Sequence, residues 1–157
     1  MINRRIGEEK DSALEKAYGV FQENIDSLWP KLLPFVTRVL SRDSEFTPEQ
    51  IYNKVKNYES QLMVGERSGV PEFILVTSIY GQGKDKSCLL FLAAGENGKH
   101  WISYLGSVES WAKAQGCKTI KLQGRPGWKK WLKEYRVKDV ILEKRLTEVP
   151  WADSQRM

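Results

Sequence analysis

Hydrophobic residues recur at helical spacing over Asn24–Leu40. Apolar side chains three and four residues apart lie on one side of a helix, so this segment predicts an amphipathic helix with one buried face. Pro30 and Pro34 lie inside the segment, and each removes a backbone amide donor. We therefore expect a bend or a late start of this helix near Pro30. The apolar positions are Leu28, Leu32, Phe35, Val36, Val39 and Leu40.

A second helix is indicated by the start signals at Thr47. Thr47 can cap the first turn, Pro48 suits the first helical position, and Gln50 stands where a capping box takes Glu or Gln. These signals predict a helix from Pro48 to about Tyr58. Its predicted apolar face consists of Ile51, Val55 and Tyr58.

The pattern becomes strand-like after the second helix. Three runs that predict strands follow one another, separated by short turns that contain glycine, and the second is rich in β-branched and aromatic residues. Connections this short join antiparallel strands, so we expect an antiparallel meander. The predicted strands are Gln61–Arg67, Glu72–Tyr80 and Ser87–Ala94.

Helices and strands alternate in the last third of the chain. Trp101–Ala114 has helical spacing and is followed by Gly116, a suitable residue for a left-handed helix end. The remaining predicted elements are a short buried strand, Thr119–Leu122, a short helix, Trp128–Tyr135, and a final strand, Val137–Leu146.

The N-terminal two dozen residues are mainly polar. Residues 11–24 predict a short helix that starts near Asp11. No repeat, low-complexity tract or linker breaks the sequence after it. The predicted organisation is an N-terminal extension at residues 1–23, a domain at residues 24–146 and a C-terminal tail at residues 147–157.

The composition is that of one globular domain. The 157 residues are 41% hydrophobic and 29% charged, which suits a continuous core and not a disordered chain. No apolar run approaches the roughly 18 residues that cross a bilayer, and no secretory signal is visible. Cys88 and Cys117 lack metal-ligand spacing and fit two reduced core thiols. We therefore expect a cytosolic protein.

The basic residues are concentrated in one segment. Lys113–Arg145 contains eleven Lys or Arg and three Asp or Glu, a local charge of +8 within a total of +5. Such a segment can contact phosphates, an acidic protein surface or an anionic cofactor, or it can be a solvated face. The single histidine, His100, excludes a His-based metal site or triad and fits a surface or capping residue. No metal site is expected.

The order of predicted elements resembles that of the GNAT (GCN5-related N-acetyltransferase) superfamily from about residue 25 to residue 146. The motifs that carry the resemblance are Gln61–Val64, Glu109–Cys117, and Gly124–Trp128 before Glu143–Leu146. The last of these is similar, more narrowly, to small GNAT-like proteins that are encoded by tailed bacteriophages.

The resemblance implies an α+β fold with a mixed, mainly antiparallel central sheet and helices on both faces. The family's fourth and fifth strands, here Ser87–Ala94 and Thr119–Leu122, are expected to splay apart. In active relatives acetyl-CoA lies in this opening. Its pyrophosphate rests on backbone amides at the start of the following helix, where free N–H groups and the positive helix end favour an anion.

The segment that would form this cofactor loop departs from the family pattern. The pattern is a basic residue or Gln, two arbitrary residues, Gly, any residue, and Gly or Ala. Glu96 stands at the first position, Lys99 replaces the first glycine and Trp101 the second. An indole would occupy phosphate space and a carboxylate would repel the anion, so we expect a degenerate site. The loop consists of Glu96, Asn97, Gly98, Lys99, His100 and Trp101.

The catalytic side of the family also lacks clear counterparts. Many GNAT enzymes protonate the leaving thiolate with a Tyr on the last short helix, and the matching residue here is Trp131. Tyr135 is a substitute candidate, about 5–6 Å further along the helix. The general base could be Glu96 or Glu72, or a water held by the backbone.

The turn and short helix after residue 123 supply candidates for interactions. Arg125 could bind a phosphate, or it could brace a carboxylate or a carbonyl, which we favour. Trp128 and Trp131 are expected mainly to cover the core, and otherwise to anchor a partner. The interaction candidates are Arg125, Trp128, Lys129, Lys130 and Trp131.

Three functions are compatible with these features. The favoured hypothesis is a non-catalytic structural or binding component of a phage virion or its assembly, in the host cytoplasm or the particle, with protein partners and no cofactor. The alternative is an active N-acetyltransferase that uses acetyl-CoA. The third is a nucleic-acid-binding domain that uses the basic residues 113–145, where Lys129, Lys130, Trp131, Lys133 and Tyr135 alternate.

Overall fold

A five-stranded sheet organises the computed structural model, which describes residues 15–41, 45–96, 100–124 and 126–147. The strands lie side by side in the order β1-β2-β3-β4-β5; the first three pairings are antiparallel, and β5 runs parallel to β4. The predicted mixed, mainly antiparallel sheet is thereby confirmed. The strands are β1 (Glu15–Val20), β2 (Gln61–Arg67), β3 (Val70–Tyr80), β4 (Ser87–Gly95) and β5 (Thr119–Leu122).

The chain divides into two compact units. The first unit, Met1–Gly124, contains the sheet and three α-helices, and the second is Arg125–Met157. The helices are α1 (Ile25–Leu40), α2 (Pro48–Lys56) and α3 (Leu105–Ala114). None of the helices in the described part of the chain is both long and apolar enough to cross a membrane.

Helix α1 confirms the first predicted helix but not its late start. It begins at Ile25 and continues through both Pro30 and Pro34. Each proline removes a hydrogen bond within the helix. The buried face of α1 offsets this loss, since tertiary packing supplies most of the stability of a helix in a protein. The buried residues are Ile25, Leu32, Phe35, Val36, Val39 and Leu40.

Helix α2 begins with the predicted capping box. The Gln50 amide donates to Thr47 Oγ1 at 3.1 Å, and the Thr47 amide donates to Gln50 Oε1 at 2.9 Å. The helix ends at Lys56, earlier than predicted. Tyr58 has a φ of 65° and is 75% exposed, so its predicted place on the apolar face is wrong. The chain leaves the helix at Asn57, and Tyr58 turns outward.

The two faces of the sheet bury different helices. On one face, α1 and α2 pack against β2 and β3 through Leu62, Val64, Ile74 and Val76. On the other, Cys88 of β4 is buried together with Ala112 of α3 and Cys117. Gly116 ends α3 with a φ of 91°, as predicted. The prediction of helices on both faces is confirmed.

The predicted N-terminal helix is wrong over the residues that the structure describes. Glu15–Val20 is strand β1, which pairs with β2 from Glu15 opposite Arg67 to Val20 opposite Leu62. Pairing with the edge of β2 gives hydrogen bonds to backbone groups that would bind only water at the ends of a short isolated helix. The pairing also buries Ala17 and Val20. Residues 11–14 of that prediction lie outside the described residues, and the domain boundaries stay a prediction.

The last two predicted elements are corrected as well. Pro126–Lys130 is a 3₁₀ helix, with turns after it, in place of an α-helix over Trp128–Tyr135. Val137–Leu146 has no strand pairing among the described residues, although its composition favours a strand. Leu142 is 91% exposed. Strand propensity expresses side-chain fit to a sheet and requires a neighbouring strand, and no described strand pairs with this segment.

A glycine on β2 makes room for an aromatic ring on β3. Gly65 pairs with Phe73, whose ring lies where a Cβ at Gly65 would be. The ring is buried, and its centroid is 5.3 Å from that of Tyr104. Any larger residue at position 65 has to displace this ring, so glycine is required here.

We predict that Gly65→Ala lowers the free energy of unfolding by about 1–3 kcal/mol, the usual cost of overpacking a core. Urea denaturation measures the change. Gly19→Ala is the matched control, because its Cβ would meet only the Leu62 carbonyl oxygen at 4.0 Å. The control should change stability by about 0.5 kcal/mol or less. Equal effects of the two substitutions would contradict the close approach of Phe73.

The predicted core thiols are both free and buried. Burial, together with the neighbouring Cys117, raises the pKa of Cys88 to about 11 from 9.0. We predict that, in the wild-type chain, iodoacetamide at pH 8 alkylates folded Cys88 at least about 100-fold more slowly than urea-unfolded Cys88, since two pKa units change the thiolate fraction about 100-fold. Mass spectrometry follows the reaction, and similar rates in the two states would refute the burial of Cys88.

Candidate cofactor site between β4 and β5

The opening expected between β4 and β5 is present. The two strands pair at four positions, from Ser87 opposite Thr119 to Leu90 opposite Leu122. The Gln123 amide then donates to the Leu90 carbonyl at 3.0 Å. Beyond this point β4 continues through Phe91–Gly95 with β3 alone as its strand neighbour in the described part of the chain.

A register shift marks the start of the opening. Val76 pairs with Leu92, whereas Thr77 pairs with Leu90, so Phe91 is an extra residue in β4. An extra residue bends its strand and increases the local twist. Because the bend coincides with the last pairing to β5, the two strands diverge from Leu90 onward. An extended chain with amide groups could lie along the unpaired side of β4 here.

Glu96 follows β4 directly and is held on two sides. Its amide donates to the Glu72 carbonyl at 3.0 Å, which extends the β3–β4 ladder by one residue. Its carboxylate accepts from Arg38 Nε at 2.6 Å. The guanidinium compensates the charge that was expected to repel a phosphate. Asn97, Gly98 and Lys99 of the predicted loop lie outside the described residues, as does the side chain of His100.

The helix after β4 begins differently from the prediction. His100–Tyr104 is a 3₁₀ helix, and α3 itself starts at Leu105, four residues after the predicted start at Trp101. The Trp101 side chain is only 3% exposed. The positive end of the α-helix, where relatives place an anion, is therefore preceded by a tighter turn that carries a buried indole.

Two of the predicted catalytic candidates, Glu72 and Glu96, belong to the first unit, where their backbones are hydrogen-bonded and their carboxylates pair with different arginines. Glu72 accepts a hydrogen bond from Arg67 Nε at 3.1 Å and is mostly buried. Glu96 pairs with Arg38 of α1. Trp131 and Tyr135 belong to the second unit, so their proposed roles stay predictions. Arg125 lies outside the described residues. No group of three metal-ligating side chains occurs among the described residues.

A groove that the sequence does not predict lies on the α3 side of the sheet. It has a volume of about 1110 Å³ and separates α3 from strands β1, β2 and β3. A Cβ at Gly106 of α3 would meet no atom within 4 Å, which shows how open this wall is. Residues that line the groove include Met63, Leu75, Ser103, Ser107, Ser110 and Trp111.

Comparison with solved structures shows which fold this is. An aminoglycoside acetyltransferase, meta-AAC0020 from an uncultured soil metagenomic sample, is similar with a TM-score of 0.62 at 11% identity, over 88% of this chain and 99% of that one. A GNAT family acetyltransferase from Staphylococcus aureus has a TM-score of 0.61 at 10% identity, over 84% and 98% of the two chains. The chain therefore has the fold of GNAT-family acetyltransferases.

A third similar structure contains coenzyme A. Aminoglycoside N-acetyltransferase AAC(6')-Iy in complex with CoA has a TM-score of 0.55 at 11% identity, over 85% of this chain and 95% of that one. No family model matches the sequence, and no curated protein matches it either. Identities this low establish a shared fold and leave the activity of this chain open.

Sequence reasoning missed a buried carboxylate that joins three elements. Glu66 of β2 is 4% exposed. It accepts a hydrogen bond from the Tyr18 hydroxyl of β1 at 2.6 Å and lies 3.5 Å from Lys31 Nζ of α1. Burial, and then the hydrogen bond to Glu66 and its charge, raise the pKa of Tyr18 well above its ordinary value. The sequence indicates this site only by placing one acidic residue, Glu66, in a predicted strand whose other residues are mostly apolar.

We predict that Tyr18→Phe lowers the free energy of unfolding by about 1.5 kcal/mol, the lower end for a hydrogen bond to a charged group, because the Tyr18 ring is partly exposed. The matched control is Tyr52→Phe, which removes a bond of 2.5 Å to exposed Asp26. Its effect on urea denaturation should be much smaller, since water replaces the lost partner. A larger effect of Tyr52→Phe would contradict the importance of burying Glu66.

Proposed function

We propose that this chain is a non-catalytic binding module with the GNAT fold, and that it works as a structural component of a phage virion or of its assembly. The observation that carries the proposal is the start of the helix after β4. A 3₁₀ turn with the buried indole of Trp101 occupies the segment where a cofactor's pyrophosphate would need open backbone amides. The phage setting rests on the sequence resemblance.

Two further observations support a role without catalysis. Glu96 is bound to Arg38, so its carboxylate oxygen is engaged in an ion pair with α1 and not directed at a substrate amine by any described contact. Trp131 stands where the resemblance places the proton-donating Tyr, and an indole cannot protonate a thiolate. These features weaken one candidate base and leave no Tyr at the expected acid position, while Glu72, a backbone-held water and Tyr135 stay the alternatives.

A binding role requires an accessible surface, and the first unit offers one. The groove beside α3 has a mainly apolar lining with hydroxyl groups along one wall. An extended or helical segment of a protein partner could bury apolar side chains in it. The described lining of the groove includes no residue of β4 or β5, so such a partner would not need the opening between these strands.

The second candidate function is acetyl-CoA-dependent N-acetyl transfer. One observation favours it: among the described residues no strand pairs with Phe91–Gly95 on the side away from β3, as an extended cofactor chain would require. The fold shared with an acetyltransferase that was crystallised with CoA agrees with it. The two candidates differ in one measurable property, the binding of acetyl-CoA.

We predict that millimolar acetyl-CoA leaves the melting temperature of the protein unchanged. A ligand present at 100 times its dissociation constant stabilises a protein by about 2.7 kcal/mol, so binding would be visible as a clear shift. The acetyltransferase AAC(6')-Iy serves as the positive control. A saturable rise in melting temperature for this chain would refute the non-catalytic proposal and favour the acetyltransferase.

Replacing the buried indole tests the cause of the predicted failure to bind. The melting temperature of Trp101→Gly should rise when acetyl-CoA is added. The rise is measured from the ligand-free variant, because the loss of a buried indole itself destabilises the fold. Trp111→Gly makes the same chemical change elsewhere on this helical segment and should gain nothing. If neither variant gains a shift, Trp101 is not what blocks the cofactor.

A further inference from the structure

A lysine cluster in the second unit surrounds one concave surface. The concavity has a volume of about 560 Å³ and is lined by Gly127, Lys129, Lys130 and Lys133. The three lysines are exposed, and the residues that line the concavity in the described part of the chain include no carboxylate. Three ammonium groups around one concavity attract an anion more strongly than scattered surface charges do, because their fields add in the same space. We name this surface the lysine concavity.

Short-range hydrogen bonds hold the lysines in this arrangement. The Trp131 amide donates to the Trp128 carbonyl at 2.9 Å, and the Leu132 amide donates to the Lys129 carbonyl at 3.2 Å. The Tyr135 amide donates to the Leu132 carbonyl at 3.0 Å. Each bond closes a turn of three residues, and residues three apart lie on the same side of such turns. The second of these bonds fixes the backbone at Lys129, and the first and third close the turns that contain Lys130 and Lys133.

An aromatic ring lies beside the cluster. Trp131 is 36% exposed, and the ammonium of Lys130 is 5.4 Å from its ring centroid. The indole therefore offers a partly exposed flat surface next to a cation. A ligand that carries both negative charge and a planar group could contact both at once.

We propose that the lysine concavity, with Trp131 beside it, binds single-stranded nucleic acid. Phosphates would contact Lys129, Lys130 and Lys133, and one base would stack on the Trp131 ring. Single strands expose their bases for stacking, and proteins that bind them without sequence preference combine a basic groove with aromatic side chains. The carboxylates of an acidic peptide could form ion pairs with the lysines, but they would not stack on the indole. The combination of lysines and an indole therefore favours nucleic acid.

Fluorescence anisotropy with a labelled 20-residue oligothymidylate tests the proposal on the full chain. Affinity should fall as salt rises, since each phosphate contact releases counterions. The triple variant Lys129→Ala, Lys130→Ala, Lys133→Ala should reduce the slope of log affinity against log salt by about 2, given roughly 0.7 per contact on a single strand. Trp131→Ala should weaken binding roughly fivefold or more through the lost base stack.

A matched variant separates the concavity from net charge. Lys84→Ala, Lys113→Ala, Lys118→Ala removes the same charge from exposed positions in the first unit. It should leave most of the salt dependence in place. Equal losses in the two triple variants would mean that binding follows net charge, and the proposal would be wrong.

Two competitor ligands test the kind of partner. An abasic phosphodiester chain of the same length should bind the wild type more weakly than oligothymidylate does. The Trp131→Ala variant should bind the two ligands with equal affinity. A polyglutamate peptide should compete poorly. If polyglutamate binds the concavity as well as oligothymidylate does, its partner is an acidic protein and the nucleic-acid proposal is refuted; absence of any binding at low salt refutes it as well.

Discussion

Strand β4 has two neighbours of opposite direction, and only its first four residues pair with both. It follows antiparallel β3 along its whole length and parallel β5 from Ser87 to Leu90. The extra residue at Phe91 changes its register with β3 at the point where β5 stops. Because this bulge bends the strand, the opening is a consequence of backbone geometry. It therefore does not depend on which side chains the loop after β4 carries.

Fold and chemistry are separable properties in this chain. The packing of α1 and α2 on β2 and β3 stabilises the sheet through apolar side chains of these four elements. At the start of the next helix, the stability of the fold and the binding of a cofactor place different requirements on one residue, Trp101. Burying the indole of Trp101 adds to the stability of the domain, whereas a pyrophosphate needs small residues and open amides at the same place. The structure has the buried indole.

Features encoded within a few residues were predictable from the sequence. Thr47 and Gln50 are three positions apart and form the capping box, and Gly116 ends α3 in the left-handed conformation. The bounds of β2 and β5 also agree with the sequence patterns. In each case the deciding hydrogen bonds or backbone angles lie inside the segment itself.

Features that depend on distant partners were not predictable. Tyr18 and Glu66 are 48 positions apart, and the pairing of β1 with β2 that joins them outweighs the helical pattern near the N-terminus. Val137–Leu146 shows the reverse case, since its residues favour a strand but no described neighbour pairs with it. The sequence places the predicted cofactor loop at Glu96–Trp101, yet the 3₁₀ start at His100 accompanies the burial of Trp101, which residue spacing does not reveal.

The central claim is that the start of this helix cannot receive the pyrophosphate of coenzyme A. Backbone amide resonances report directly on that contact, because N–H groups that bind a phosphate change their chemical shift. A titration of the ¹⁵N-labelled chain with coenzyme A should leave the amides of Phe91–Gly95 and Trp101–Leu105 unchanged. Saturable shifts in both segments would contradict the account and place the cofactor in the opening.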